Sequence, residues 1–236
     1  MSDPICVISG AGPGTGAAMA RRFAAGGYRV MLLARNAARL SQLAADIPRS
    51  QAFACDVTDA QQVAQTAKRI LDEIGTPKVL IHNAVGGTFG TFQEIDPQAL
   101  ERNFQVNVMG LLSLARQFSP AMQSAGNGAI IATGNTSAYR GKANFAGFAP
   151  TKAAQRILAE SMARDLGPKG IHVAYVVIDA VINVPWTQER FNKDGSKPED
   201  FFIQPRSIAE EVWHVAHQDR NAWSFNVEVR PYAEQW

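Results

Sequence analysis

Short apolar runs recur along the chain, each closed by a polar or glycine-rich break and followed by a stretch with helical spacing. Ile5-Cys6-Val7-Ile8, Tyr28–Ala34, Ala52–Cys55, Lys78–Asn83, Ala129–Ala132 and Ile171–Ile178 read as strands, and Ser224–Val229 as a final, alternating one. Runs this uniformly apolar suit strands buried on both faces, the habit of parallel sheets. Helices are predicted after Gly16 and over about 37–46, 59–74, 97–124, 148–167 and 208–218. Asn36 caps one of them, Thr58-x-x-Gln61 and Ser207-x-x-Glu210 read as capping boxes, and Asp96-Pro97 is a cap followed by a first-turn proline. In the longest helix Leu100, Phe104, Val108, Leu111, Ala115, Phe118 and Met122 share one face. Segments 134–147 and 184–205 carry no such pattern and read as irregular.

The alternation predicts a single α/β domain over 1–236, doubly wound. Its seven-stranded parallel sheet has the order 3-2-1-4-5-6-7, with right-handed crossovers and helices on both faces. Ligands of such sheets bind beyond the carboxyl ends of the strands. The residues that close each apolar run are therefore the candidates for chemistry.

The first of these closures is Ser9-Gly10-Ala11-Gly12-Pro13-Gly14-Thr15-Gly16, between a strand and a helix. Glycines let the backbone approach a pyrophosphate, and the helix start offers free N–H groups and the positive dipole end. The spacing that fits is Gly10-x-x-x-Gly14-x-Gly16, with Gly12 and Thr15 inside it; no Gly-Lys-Ser/Thr follows, which excludes a Walker loop. Arg35 follows the second strand, where a dinucleotide fold meets the adenosine ribose; an arginine there suits a 2′-phosphate, so NADP(H) is preferred and NAD(H) remains possible. Asp56-Val57 closes the third strand, where it either receives the adenine or makes a simple turn. Asn83-Ala84 closes the fourth, where a small residue admits a ribose and an asparagine also suits a turn. Asn107 lies among apolar positions of the long helix, so it either satisfies backbone groups or holds a water. Lys152 shares a helix face with Phe148.

Composition narrows the partners. With 236 residues, 46% hydrophobic and 19% charged, the chain suits a globular domain. A net charge of +2 without a basic run points to neither nucleic acid nor a membrane surface. No apolar stretch is long enough to span a bilayer. Met1-Ser2-Asp3-Pro4 leads straight into the first strand, leaving no room for a signal peptide. Cys6 and Cys55 fall in predicted buried strands and suggest neither a disulfide framework nor a metal site; His214-x-x-His217 lacks a third ligand. A cytoplasmic location is the simplest expectation.

Taken together, Gly10-x-x-x-Gly14-x-Gly16, Asp56-Val57, Asn83-Ala84, Asn107 and Lys152 resemble the short-chain dehydrogenase/reductase family in order and spacing, from Ile5 to about Val229. The resemblance implies a Rossmann domain, NAD(P) as cofactor, a small carbonyl or alcohol as substrate, and a homodimer or homotetramer. It places Lys152 on the nicotinamide ribose, and Arg35 where many NADP-preferring members carry a base. Pro13 stands where some of those members have a basic residue. It also shows departures: Phe148 occupies the place of the motif tyrosine, Asn135 that of the motif serine, and Asn183 that of a threonine on the nicotinamide amide. A phenylalanine has no proton to give. Tyr139, Ser137 and Asp179 are the nearest substitutes in sequence, Tyr139 the best chemically. The 184–205 loop, with Phe145, Phe148, Trp186 and Phe191, is expected to enclose the substrate. Two other readings stay open: an NADP(H)-binding redox sensor without catalysis, and a reductase of an activated C=C bond in which water supplies the proton.

Overall fold

The computed structural model describes residues 3–233; residues 1–2 and 234–236 of the span assigned to one domain lie outside them. The elements run β1 (Ile5–Ser9), α1 (Thr15–Ala25), β2 (Arg29–Ala34), α2 (Ala37–Asp46), β3 (Ser50–Ala54), α3 (Ala60–Glu73), β4 (Val79–His82), α4 (Pro97–Phe104), α5 (Gly110–Ser124), β5 (Gly128–Asn135) and α6 (Ala149–Leu166). They continue as β6 (Ile171–Ile178), β7 (Val181–Ile182), α7 (Pro185–Phe191), β8 (Phe202–Ile203), α8 (Pro205–Ala216) and β9 (Asn226–Val229). Seven strands form one sheet in the order β3-β2-β1-β4-β5-β6-β9, every neighbouring pair parallel. This is the Rossmann order predicted from the alternation. The seventh place falls to β9 because the two-residue strands β7 and β8 pair apart from the main sheet.

The continuous apolar runs split by period two between two cores. Val7, Leu80, Ile130 and Val173 pack under α3, α5 and α6. Cys6, Ile8, Val79 and Ile131 pack under α1, α2 and α8. Each fully buried aliphatic contributes about 1.5–3 kcal/mol over the exposed state, so both sheet faces hold their helices.

Several local expectations need correction. The helix predicted over 97–124 is broken by a π-helical turn at Gln105–Met109. The additional residue in that turn rotates the preceding helix by about 100°. Leu111, Ala115, Phe118 and Met122 face the core as predicted, but Leu100, Phe104 and Val108 are only half-buried. Asn103 and Asn107 turn inward in their place. β5 continues past Ala132 through Thr133, Gly134 and Asn135, which pair with Val176, Val177 and Ile178. Glycine is required at 134, because a Cβ there would collide with the Tyr175 ring. The cap of α3 is Asp59, whose Oδ1 accepts from the N–H groups of Gln61 and Gln62, while the Thr58 hydroxyl donates to Asp56. Helix α8 starts at Pro205 after Gln204, so Ser207 lies inside its first turn and is no cap. Segment 184–205 is partly regular, since it holds α7 and β8.

Candidate cofactor and active site

The glycine turn between β1 and α1 is shaped by close approaches. Gly10 has φ +76°, and a Cβ there would run into the backbone of Ala84 at the end of β4. A Cβ on Gly16 would meet the Gly10 carbonyl, so the start of α1 rests directly on the turn. Gly14 precedes α1 at φ +122°, and a Cβ there would lie 2.9 Å from Val184 Cγ1, which brings the segment after β7 over the turn. Gly12 differs: a Cβ there would have no neighbour within 4 Å. That open space belongs to a cavity of about 1190 Å³ at the carboxyl ends of β1, β2 and β4. Thr15 opens α1 and is buried.

The cavity gathers most of the predicted cofactor residues: Gly10, Gly12 and Gly14, then Arg35 beyond β2, Asp56 and Val57 beyond β3, and Asn83 and Ala84 beyond β4. Two arginines not singled out from the sequence also line it. Arg39 sits one helical turn after Arg35, and Arg21 projects from α1. The i, i+4 spacing of Arg35 and Arg39 across the cap of α2 was the available signal. Asp56 folds onto its own turn, its Oδ1 accepting from Thr58 N (3.0 Å) and Thr58 Oγ1 (2.8 Å). Asn83 braces two strand ends: Nδ2 donates to the Gly10 carbonyl (3.0 Å) and Oδ1 accepts from Thr133 Oγ1 (3.1 Å).

From Thr133 the polar network runs inward. Lys152, buried on the first turn of α6, donates from Nζ to the Thr133 carbonyl (3.2 Å) and to Gln155 Oε1 (3.0 Å). Gln155 Nε2 donates to the Asn107 carbonyl (2.8 Å), and the Tyr175 hydroxyl lies 3.2 Å from the Lys152 carbonyl and 3.3 Å from Gln155 Oε1. The Asn107 side chain satisfies backbone groups, the first of its two expected roles: Oδ1 accepts from Gly86 N (2.9 Å), and Nδ2 donates to Gly86 O and to Thr151 Oγ1 (both 2.8 Å). Within the π-helical turn, the Val106 and Asn107 carbonyls also accept from side chains of other elements. The Val106 carbonyl takes His82 Nε2 (3.1 Å). A carbonyl only accepts, so His82 carries its proton on Nε2, and Nδ1 faces Ser9 Oγ (2.9 Å) as an acceptor.

Burial sets the charges here. Among the described residues no carboxylate bonds to Lys152, and desolvation pushes its pKa down to about 7. Burial, and then the Lys152 charge, hold His82 neutral, down to about 3. Burial pushes the Tyr175 hydroxyl up, so it stays protonated. Gln155 and Tyr175 escaped the sequence reading. Gln155 stands at i+3 from Lys152 on one helix face, which was legible; Tyr175 looked like any residue of an apolar strand.

The Phe148 ring is buried, and Lys152 Nζ lies 5.8 Å from its centroid. Phe89 joins it to Phe145, with ring centroids 5.5 Å and 5.1 Å away. The Arg190 guanidinium of α7 lies over Phe89 (5.7 Å) and Phe191 (5.4 Å). Trp186 stands apart, 61% exposed. Asn135 uses Oδ1 to accept from Ser137 N (3.0 Å). The Asn183 amide is engaged within its own segment, donating to Gln204 Oε1 (3.2 Å) and accepting from Gln188 Nε2 (2.9 Å). Of the substitute donors, Tyr139 donates to Asn226 Oδ1 (3.0 Å) under the Arg156 guanidinium. Asp179 accepts from Thr136 Oγ1 (2.7 Å) and pairs with Arg140 (3.6 Å). Neither bonds to the Lys152 network.

Comparison with known proteins agrees with this geometry. The family model described as short chain dehydrogenase matches residues 4–194. The 7alpha-hydroxysteroid dehydrogenase of Escherichia coli (strain K12) is 31% identical over 180 residues, covering 75% of this chain and 70% of that protein. A metagenomic short-chain oxidoreductase, solved in complex with NADP, superposes with a TM-score of 0.84 at 28% identity over 98% of each chain. An NAD+-bound xylitol dehydrogenase superposes with a TM-score of 0.88 at 23% identity, over 97% of this chain and 98% of its own.

Proposed function

The chain belongs to the short chain dehydrogenase family, and from that premise we propose that it is an NADP(H)-dependent oxidoreductase acting on a small carbonyl or alcohol, with an altered proton-donor site. One observation carries the reading: the glycine turn, the arginine-lined cavity and the Lys152 network form one connected site, joined through Asn83 and Thr133. The cavity fits a dinucleotide. Its open space at Gly12 admits a phosphate beside the N–H groups of the α1 start, where dipole and donors favour an anion. Three arginines and only short acidic neighbours favour a 2′-phosphate over a bare hydroxyl, and NAD(H) binds the same cavity more weakly.

In this reading Arg35 and Arg39 hold the 2′-phosphate, Asp56 and Val57 meet the adenine, and Asn83 and Ala84 border a ribose. Lys152 bonds the nicotinamide ribose, and Asn183 reaches the nicotinamide amide once it leaves Gln188 or Gln204. The bound nicotinamide supplies or accepts a hydride. Asn107 acts through the loop at Gly86 that it clamps from both sides. Asn135 Nδ2 orients the substrate oxygen in place of a hydroxyl. Phe148 packs on the substrate and gives no proton, so that proton comes from water. Phe145, together with Trp186 and Phe191 of the 184–205 segment, closes the substrate side. The protein works as a homodimer or homotetramer, with exposed Met109 and Ile157 as apolar contacts. Its free buried thiols, Cys6 and Cys55, suit the reducing cytoplasm.

Fluorescence titration with NADPH and NADH, followed by NADPH consumption on a panel of ketones, quinones and enones, tests the assignment. Tight NADPH binding with ketone turnover supports it. Binding without turnover on any substrate favours a redox sensor, and turnover of enones alone favours a C=C reductase. No binding of either dinucleotide overturns all three.

A further inference from the structure

We propose that Gln155 is a positioning residue: it ties Lys152 to the π-helical turn, fixes the direction of its ammonium, and holds it without a counter-ion. The proposal rests on the reading that Lys152 bonds the nicotinamide ribose. Gln155 is fully buried, and each polar group of its amide has a partner. Its orientation is forced. The Asn107 carbonyl can only accept, so the NH₂ end faces it and the oxygen faces Lys152. That carbonyl lies in the π-helical turn at Gln105–Met109. The π turn, Gln155 and Lys152 thus form one rigid line from α5 to α6.

An ammonium has three N–H groups. Two are taken inside the protein, by the Thr133 carbonyl and by Gln155 Oε1, which leaves one direction for a ligand. The groups facing Lys152 from each neighbouring element are the Thr133 carbonyl of β5, neutral His82 of β4, protonated Tyr175 of β6, the Phe148 ring and Gln155 itself. Among the described residues no carboxylate bonds to it. Lys152 is therefore held by dipoles alone, and the amide of Gln155 supplies one of the two. A carboxylate in its place would lock the ammonium as a permanent ion pair.

The test compares the native chain with Gln155→Leu, Gln155→Glu and Lys152→Met. NADPH affinity is measured by fluorescence from pH 5.5 to 9.5, with a thermal melt for each variant. Native affinity is expected to fall as pH rises through about 7, where Lys152 loses its charge. Gln155→Leu, which keeps the volume but frees the ammonium, should weaken binding about tenfold and lower the midpoint of the pH profile. Gln155→Glu, nearly isosteric, should raise that midpoint by about one unit or more. A purely structural Gln155 would change the melting temperature and leave both midpoints alone. If Lys152→Met loses affinity while both Gln155 variants keep the native midpoint, the proposal is overturned. If Gln155→Leu does not fold, the midpoint of Gln155→Glu decides alone. If Lys152→Met binds NADPH like the native chain, it is the ribose reading that fails.

Discussion

The sharpest separation of folding from cofactor binding comes from Gly12→Ala. Gly12 lies outside the left-handed region, and a Cβ there meets nothing within 4 Å. The methyl group costs the folded chain nothing, and the loss of glycine freedom in the unfolded chain stabilises by about 0.4–1 kcal/mol. At this chain length 1 kcal/mol is about 2–4 °C, so the melting temperature should stay level or rise by up to about 4 °C. The same methyl group fills the space assigned to the pyrophosphate. Forcing a methyl-sized group into a packed contact costs about 1–3 kcal/mol, which weakens NADPH binding about 5- to 140-fold. Gly10→Ala is the counterpart. It combines φ +76° with collision against the Ala84 backbone, so its loss appears in the melt, by about 1–3 kcal/mol or more. Isothermal titration with NADPH, paired with differential scanning calorimetry, reads both effects. A folded Gly12→Ala variant that binds NADPH as tightly as the native chain would show that the phosphates do not cross the turn at Gly12.

Other outcomes follow from the same geometry. Arg35→Asp should reverse the preference for NADPH over NADH, and Arg39→Ala should weaken NADPH about 10- to 100-fold, the worth of a charged hydrogen bond, with NADH unchanged; dinucleotide titrations check both. Phe148→Tyr places a phenol near Lys152 and should raise ketone reduction by up to about 10²-fold, with Asn135→Ser adding a smaller gain; no change on any substrate would mean that the ring does not face the nicotinamide. Lys152 gives a pH dependence of stability. Its pKa is about 7 in the fold against 10.5 unfolded, so between those values the unfolded chain binds more protons and stability rises with pH. The contribution is complete above 10.5 and is lost as pH falls through about 7. The raised thiol of Cys6 and hydroxyls of Tyr28 and Tyr175 act the other way once their unfolded values are reached, at 9 and above. Melting temperature should therefore climb from pH 7 to about 9 in the native chain, and Lys152→Met should lack that climb.

The strand order was legible because seven apolar runs, separated by polar or glycine-rich breaks and helical stretches, fix a parallel sheet almost without other input. The cofactor cavity was legible for the same reason, since the residues that close β1, β2, β3 and β4 line it. The π turn was not. Leu100, Phe104 and Val108 sit at regular helical spacing with Leu111 and Phe118, and only tertiary contacts turn Asn103 and Asn107 inward. Gln155 and Tyr175 acquire their roles from groups distant in sequence, the Asn107 carbonyl and Lys152, which no local window contains. The capping boxes misled for a simpler reason. Thr58 had a nearer acceptor in Asp56, and the proline at 205 started α8 before Ser207 could cap it.

The burial of Lys152 bears on whether this site works at all. An ammonium removed from water without a carboxylate is costly, and a methionine of similar length would fill the same space more cheaply. The fold nevertheless supports it with the end of β5, a buried glutamine, and a π turn in which the Asn107 carbonyl holds that glutamine. A lysine with only a structural role could let its ammonium reach solvent and avoid the cost. Phe148 differs in kind. Exchanging a phenol for a phenyl ring removes a proton donor yet leaves packing intact, and the ring still meets Phe89 and Lys152. In the proposed reading, the part of the apparatus that is costly to hold is therefore present, while the part whose loss costs the fold little is the one replaced. That asymmetry fits a site built around the cofactor, with its proton chemistry moved elsewhere.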